Sequence, residues 1–290
     1  MSEPIPPSWL DRLSTALLRV LPQHLLAAGM YRLMRSETPW LKNTLIRTIS
    51  RRYAIDMSEA AEPDTAHYRS FNAFFTRALR DGVRPVAHGT VVSPADGRIS
   101  QIGRITGDRL LQAKGHDFDL LALLAGDQAG AERFRDGRYA TIYLSPRDYH
   151  RVHLPLTGKL ASMIFVPGDL FSVSEATTQL VPGLFARNER VICHFRTALG
   201  PMAVILVGAI FVGSMETVWH GEVRGSRGET TRWAYQEDMR DDYPTGAEIG
   251  RFNMGSTVIL LLPRGGPDWL PELGPGQPVR IGEALSRRID

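Results

Sequence analysis

The stretch GRFNMGSTVILLL, residues 250–262, contains a run that decides the architecture of the chain. Thr257 to Leu262 are all β-branched or aliphatic, which is the composition of a strand buried in a sheet core. Directly before this run stand Gly255 and Ser256, a residue without a side chain joined to a small hydroxyl. A glycine in that place ordinarily marks a bend at the start of a strand. Alternatively the Ser256 hydroxyl is a nucleophile, and the residues alone leave both interpretations open.

Short apolar runs also make up the rest of the chain from about residue 90 onward. They alternate with Gly, Pro and Asp turn residues, and no helical pattern alternates regularly with them, which predicts a β-rich body and argues against a Rossmann or TIM arrangement. Segment 224–247, in which Gly, Arg and acidic residues cluster, is expected to be a mobile loop. The runs are VVSPADGRISQIG (91–103), RYATIYLSP (138–146), GKLASMIFVPG (158–168), ERVICHF (189–195) and MAVILVGAIFVGSMETVWHGEV (202–223).

The first fifty residues predict three helices. Ser8 can cap the first helix with Asp11 in its first turn, and apolar residues recur at helical spacing until Pro22. A second apolar helix covers about 23–35, and a third begins after Pro39. A fourth, shorter helix is predicted further along the chain, at 71–79.

The charge of this N-terminal part differs from that of the rest. Residues 1–52 hold eight Lys or Arg and three Asp or Glu, a net charge of +5, so the remainder carries −2 of the chain's +3. Such a basic segment suggests an anionic partner, either nucleic acid or an acidic membrane surface. Apolar residues with arginines between them are typical of an interfacial membrane helix, and three helices packed on the body are the plainer interpretation.

Other function classes are limited by the composition. The longest nearly uninterrupted apolar run, Met202–Gly213, is too short to span a bilayer, and we expect no secretory signal at the start. The single cysteine, Cys193, excludes an internal disulfide framework and a thiolate metal cluster.

Two further polar stretches contain groups that could carry out chemistry. SPADGR holds Asp96 in a tight turn, where an aspartate ordinarily caps its own backbone. SPRDYHRVHLP, residues 145–155, holds His150 and His153, and two histidines within four residues favour a functional role over ordinary surface histidines. No third ligand at a convincing spacing follows to complete a metal site. Ser256 does not lie in a G-x-S-x-G elbow. Asp96, His153 and Ser256 could still form a triad, because triads are recognised by geometry.

Taken together these stretches resemble phosphatidylserine decarboxylase, the pyruvoyl-dependent bacterial form, over nearly the whole chain. The resemblance is carried by FNAFFTRALRDGVRP, SPADG, LQAKGH, YLSPRDYHRVHLP, VPGDLFSV, LFARNERVI, VGAIFVGSMETVW and IGRFNMGSTVI. The family's processing site is usually Leu-Gly-Ser-Thr, whereas Met254 precedes Gly255 here. A Leu-to-Met exchange costs less than about 1.5 kcal/mol even in a core, so we expect processing to survive.

The resemblance implies an α+β fold, with N-terminal amphipathic helices followed by a β-rich catalytic body of mainly antiparallel short strands. It divides the chain into a helical membrane-associating region, residues 1–70, and a pyruvoyl decarboxylase domain, residues 71–290. Self-cleavage between Gly255 and Ser256 would give a large chain, 1–255, and a small chain, 256–290, which remain associated.

The resemblance also implies the roles of the site residues. Ser256 attacks the carbonyl of Gly255, with His153 as the base and Asp96 orienting His153, and Ser256 ends as a covalent pyruvoyl group, the cofactor. That group forms a Schiff base with the amine of phosphatidylserine and acts as an electron sink. His150 then returns a proton, and phosphatidylethanolamine is released.

The resemblance implies that the protein binds an anionic membrane surface rather than nucleic acid, on the cytoplasmic side of the cell membrane. It leaves a homodimer possible. A serine hydrolase using the same three side chains on an external ester is the main alternative. A non-catalytic membrane-binding β domain, in which Gly255-Ser256 is only a bend, is another. A soluble pyruvoyl amino-acid decarboxylase fits the basic amphipathic N-terminus less well.

Overall fold

In the computed structural model, the described residues are 6–113, 116–210, 214–223, 228–236, 242–253 and 256–289. The N-terminal region forms the three predicted helices, α1 (Trp9–Val20), α2 (Gln23–Met34) and α3 (Pro39–Tyr53). Ser8 caps α1 as predicted, because its Oγ accepts from the Asp11 backbone N–H at 3.2 Å while the Asp11 carboxylate accepts from the Ser8 N–H at 2.8 Å. No helix among the described residues is both long enough and apolar enough to cross a membrane.

A small apolar core joins α2 and α3 to α4 (Phe71–Phe75). Its buried members are Met34, Ile46 and the three phenylalanines of α4. The helix predicted at 71–79 ends earlier, at Phe75, because the following residues pair with another segment instead. The backbone N–H of Ala61 donates to the Ala78 carbonyl at 2.9 Å, and that of Arg80 donates to the Glu59 carbonyl at 2.9 Å.

The body is built from antiparallel strands, as predicted, with short helices in the connections. The short helices are α5 (Leu120–Leu123), α6 (Gln128–Phe134), α7 (Glu175–Thr178) and α8 (Leu184–Arg187). The strands are β1 (Gly97–Arg104), β2 (Arg109–Ala113), β3 (His116–Asp119), β4 (Arg138–Leu144), β5 (Arg151–His153), β6 (Gly158–Val166), β7 (Arg190–Thr197), β8 (Gly200–Val207), β9 (Met215–Thr217), β10 (Gly221–Val223), β11 (Thr231–Ala234), β12 (Glu248–Phe252), β13 (Ser256–Leu262) and β14 (Pro278–Val279).

An eight-stranded sheet in the order β11-β6-β7-β8-β13-β4-β1-β14 forms the centre of the body. Strand β13 lies between β8 and β4, and all seven of its residues are buried. A four-stranded sheet in the order β10-β9-β12-β5 and the β2-β3 hairpin complete it. The chain therefore leaves the smaller sheet after Phe252 and enters the larger one at Ser256.

Part of the segment predicted as a loop is a strand. Residues Thr231–Ala234 form the edge strand β11 and pair with β6, Thr231 lying opposite Phe165. Trp233 explains the difference, because its ring contacts His220 with 4.8 Å between ring centroids and packs against the main core. The stretch has little apolar periodicity of its own, and tertiary packing decides its conformation. With three N-terminal helices and a body of antiparallel strands, the α+β prediction is confirmed.

Candidate active site

Ser256 is the first residue of the most deeply placed strand. Strand pairing sets it opposite Leu144 in β4, and none of its surface is exposed. Its Oγ has no hydrogen-bond partner among the described residues. Most buried polar groups are paired, so an unpaired buried hydroxyl calls for an explanation, and a catalytic role is one such explanation. Thr141 and Thr257, in the same part of the sheet, also have unpaired hydroxyls, so this state alone does not identify the nucleophile. Met254 and Gly255, the other half of the predicted cleavage site, lie outside the described residues.

His150 is held close to this strand by two backbone contacts. Its Nε2 lies 3.1 Å from the carbonyl oxygen of Ser145, the residue after Leu144 in the chain. Its own carbonyl accepts from the backbone N–H of Phe252 at 2.9 Å. Because Leu144 is opposite Ser256, these contacts bring His150 to the end of β4 at which Ser256 begins β13.

The His150 ring is buried and leaves one nitrogen free for chemistry. It stacks on Phe75 with 4.0 Å between ring centroids. A carbonyl can only accept, so Nε2 carries the hydrogen and Nδ1 keeps its lone pair. Nδ1 has no partner among the described residues. Burial, with a smaller contribution from the nearby Arg77 guanidinium, lowers the pKa of His150 to about 3, so the ring is neutral at pH 7.

His153 lies further along β5, opposite Glu248 at the other end of β12. Its Nδ1 lies 2.7 Å from the carbonyl oxygen of Gly246 and therefore carries the hydrogen. Its Nε2 lies 3.4 Å from the Tyr149 hydroxyl and is the nitrogen able to accept a proton. Burial lowers the pKa of His153, and the Gly246 hydrogen bond and the charges of Glu248 and Asp96 oppose that shift.

Asp96 is buried in its turn and bound by other groups. Arg84 donates to both of its carboxylate oxygens, with Nε at 3.1 Å from each, and the backbone N–H of Ile281 donates to Oδ1 at 2.9 Å. The link to His153 runs through the backbone, since the His153 N–H donates to the Pro94 carbonyl at 2.8 Å. The carbonyl that orients the His153 ring is that of Gly246.

The structure therefore brings the four predicted site residues into two neighbouring pairs. His150 lies near Ser256, and His153 lies near Asp96. Within the described parts of the chain, no hydrogen bond joins any two of these four side chains. The Asp96–His153–Ser256 triad and the separate role of His150 stay predictions, to be decided by the variants described below.

Several residues that surround the site carry no signal in the sequence that singles them out. Phe75 and Arg77 lie in FNAFFTRALRDGVRP, which carried part of the resemblance without any role being assigned. Arg77 is 5% exposed, and its Nε and Nη1 have no partner among the described residues. Burial lowers the pKa of Arg77. Only the position of these side chains relative to His150 shows that they belong to the site.

The arrangement supplies a hydroxyl nucleophile, two neutral imidazoles and a buried carboxylate. Among the described residues, no group of three or more His, Cys, Asp or Glu side chains could hold a metal ion. A residue-derived group at position 256 fits the site, because the Ser256 Oγ is buried and unpaired and both Ser256 and His150 lie at the same end of β4.

Known proteins are similar in sequence to almost the full chain. A family model described as Phosphatidylserine decarboxylase matches residues 71–287, and a second, described as PSD, matches residues 13–54. A phosphatidylserine decarboxylase proenzyme of Acidovorax ebreus is 52% identical over 279 residues, covering 96% of this chain and 98% of that protein. Proteins of the same name from Marinobacter nauticus (96% of this chain, 98% of that protein) and Methylococcus capsulatus (94% and 96%) are 51% and 53% identical. The chain belongs to the phosphatidylserine decarboxylase family.

Proposed function

We propose that the chain is a precursor that cleaves itself between Gly255 and Ser256 and then decarboxylates phosphatidylserine to phosphatidylethanolamine. The observation that supports this most directly is the unpaired Ser256 hydroxyl, buried at the head of β13 at the same end of β4 as His150. The name proenzyme, which the relatives carry, is consistent with a precursor. Mass measurement of the purified chains tests the proposal.

Self-cleavage begins with the Ser256 hydroxyl attacking the carbonyl carbon of Gly255. The hydroxyl proton passes to a base, the peptide C–N bond breaks, the nitrogen takes up a proton, and an ester joins the two parts of the chain. Loss of the Ser256 Cα proton then breaks the ester C–O bond, releasing the Gly255 carboxylate and leaving dehydroalanine. Addition of water with loss of ammonia gives the pyruvoyl group. Attack within one chain gains the large advantage of an intramolecular reaction.

His153 is the proposed base of this step. Its Nε2 has its lone pair available, because Nδ1 donates to the Gly246 carbonyl. Burial lowers its pKa, so the ring remains neutral and able to accept a proton at pH 7. The negative charge of Asp96 nearby favours the protonated ring that forms during the attack. Asp96 itself is held in place by Arg84, which donates to both of its carboxylate oxygens.

Burial of β13 keeps the two products together. Strand pairing ties the strand to β4 on one side and to β8 on the other, both of which belong to the large chain. Burying apolar surface contributes about 25 cal/mol per Å² to stability, so moving the fully buried strand β13 into water would cost much free energy. The small chain 256–290 therefore stays in the sheet after the cut.

A pyruvoyl group at position 256 supplies an electrophilic carbonyl for the substrate amine and withdraws the electrons left when carbon dioxide departs. His150 is the proposed proton donor. Burial lowers its pKa, and a negatively charged group of the substrate near Nδ1 would shift that pKa upward, toward the protonated ring that the donor role requires. The stacked Phe75 ring fixes the direction in which that proton is offered.

The N-terminal helices are the proposed contact with the membrane surface. Among the described residues, twelve large apolar side chains are exposed, and nine of them lie between residues 9 and 40. Exposed arginines lie on the same three helices, which suits an anionic bilayer, each contributing about 1 kcal/mol near such a surface. The nine are Trp9, Leu10, Leu13, Leu17, Val20, Leu25, Leu26, Leu33 and Trp40, and the exposed arginines are Arg12, Arg32, Arg47, Arg51 and Arg52.

Changing Trp9, Leu13 and Leu17 together to Ala is expected to weaken binding to phosphatidylserine-containing vesicles by ~100-fold or more. These residues are 70%, 59% and 53% exposed and follow one another at the four-residue spacing of a helix face. Inserting such a side chain into an apolar layer contributes ~1.5–3 kcal/mol at most. Vesicle sedimentation measures the effect.

The matched control changes three apolar side chains that are exposed on the body. Leu111, Leu121 and Val218 are 44%, 41% and 50% exposed, and their joint change to Ala should leave vesicle binding unchanged. Equal binding by the folded N-terminal variant and the wild type would rule out the membrane role of α1.

A further inference from the structure

The side chain of Asn253 is the centre of a buried hydrogen-bond network next to the proposed cleavage site. It is 1% exposed and lies three residues before Ser256. Its Nδ2 donates to the Ser214 Oγ at 2.6 Å and to the Glu216 Oε1 at 3.1 Å. Its Oδ1 accepts from the Asn72 Nδ2 at 3.0 Å, and its backbone N–H donates to the Ser214 carbonyl at 3.1 Å. Both polar atoms of this side chain are thus bound.

The same network extends to the N-terminal helices through Arg35, which directly follows α2. Its Nη2 donates to the Ser214 Oγ at 3.2 Å and lies 3.9 Å from the Glu216 Oε1. The other oxygen of Glu216 accepts from the Arg251 Nε at 2.7 Å. The carboxylate that holds Asn253 is therefore itself fixed by two arginines from different parts of the chain.

Self-cleavage is sensitive to how the two ends of the reacting segment are held. On one side, Ser256 is fixed by its pairing with Leu144. On the other side, the Asn253 side chain is fixed by its hydrogen bonds with Asn72, Ser214 and Glu216. A reacting atom displaced by about 1 Å can cost ~100-fold in rate. Attack by the Ser256 Oγ on the preceding carbonyl therefore needs a firm anchor at residue 253 as well as at residue 256.

We propose that Asn253 is a positioning residue for self-cleavage and that Arg35, acting through Ser214 and Glu216, makes the docking of α2 part of the same anchor. This inference rests on the proposed cleavage at Gly255-Ser256. It adds that the N-terminal helices, besides facing the membrane, set the rate at which the precursor matures. Asn72 at the start of α4 completes the anchor from a third element.

A change that keeps the shape of residue 253 but replaces its Nδ2 donor by an acceptor tests the anchor, because Nδ2 donates to both Ser214 and Glu216. Asn253→Asp keeps an acceptor for the Asn72 amide but sets a carboxylate against Glu216. We expect cleavage of freshly synthesised chain to slow by ~10- to 100-fold. Adding Glu216→Gln provides a donor toward the new carboxylate and an oxygen toward Arg251. The double variant should recover cleavage to within a few-fold of wild type.

The role of Arg35 is tested by Arg35→Met, alone and combined with Asn253→Asp. Alone, it should slow cleavage several-fold. Combined, it should add little to the effect of Asn253→Asp, because residues that act through one network are non-additive. Effects that multiply fully in the combined variant would overturn the link to α2.

Ser286→Ala is the matched control for lost buried hydrogen bonds. Ser286 is 2% exposed and binds Thr90 and the Val91 backbone, which tie the C-terminal segment to the body and do not contact the network around Asn253. Ser286→Ala should lower the melting temperature while leaving the cleavage rate unchanged. The proposal is overturned if folded Asn253→Asp cleaves at the wild-type rate, or if Glu216→Gln restores its melting temperature without restoring cleavage. An uncleaved wild-type chain would instead refute the proposed function itself.

Discussion

Ser256→Ala should leave the protein as one uncleaved chain of 290 residues without decarboxylase activity. The methyl group cannot attack the Gly255 carbonyl, and no pyruvoyl group can form from alanine. Both reactions depend on one oxygen atom, so activity toward phosphatidylserine should fall below detection. Gel separation of the chains and release of carbon dioxide from carboxyl-labelled substrate measure the two effects.

Thr141→Val is the matched control for this variant. Thr141 is also fully buried, its Oγ1 also has no partner among the described residues, and it lies in β4 opposite Ile259 of the same central strand. Thr141→Val removes a hydroxyl from the same part of the sheet but does not affect any group in the proposed reaction. We expect normal cleavage and activity from it. Normal cleavage by Ser256→Ala would refute the proposed nucleophile.

The two histidines are expected to separate the two reactions. His153→Ala should remain uncleaved, because general-base assistance contributes about 10²–10⁴-fold. His150→Ala should be cleaved into 1–255 and 256–290 yet lose decarboxylation by a similar factor, because it lacks the proton donor. Cleavage time courses and substrate turnover, measured on the same preparations, distinguish these outcomes. His88→Ala, a change at an exposed histidine, should affect neither reaction.

The position of His150 makes this experiment decisive. The Ser145 and Phe252 contacts bring its ring closer along the strands to Ser256 than the Glu248 pairing brings His153. An uncleaved His150→Ala together with a cleaved His153→Ala would reverse the assignment. In that case the unpaired Nδ1 of His150 would be the base of the self-cleavage.

Local sequence signals predicted much of the fold. The aliphatic run after Ser256 became the central strand, and Ser8 with Asp11 became a capping box, because such patterns depend on neighbouring residues alone. Strand β11 was missed because it is stabilised by pairing with β6 and by the packing of Trp233. The end of α4 was misplaced for the same reason, since residues 78–80 pair with a distant segment.

The candidate site, too, was predicted only in part from the sequence. Asp96, His150, His153 and Ser256 were named from their motifs and the family resemblance. The sequence did not indicate that Arg84 holds Asp96 or that the Gly246 carbonyl orients His153. These partners are twelve and ninety-three residues away along the chain, and only the tertiary fold, including the pairing of β5 with β12 next to Gly246, brings them together.

The intact masses of the purified wild-type chains test the central claim most directly. The account predicts a large chain ending at Gly255 and a small chain of residues 256–290, the latter lighter by one ammonia than the same chain with an N-terminal serine. A single chain with an unmodified serine is what the serine hydrolase alternative requires, and it would contradict self-cleavage. A cleaved small chain carrying a free Ser256 amine would contradict the pyruvoyl mechanism.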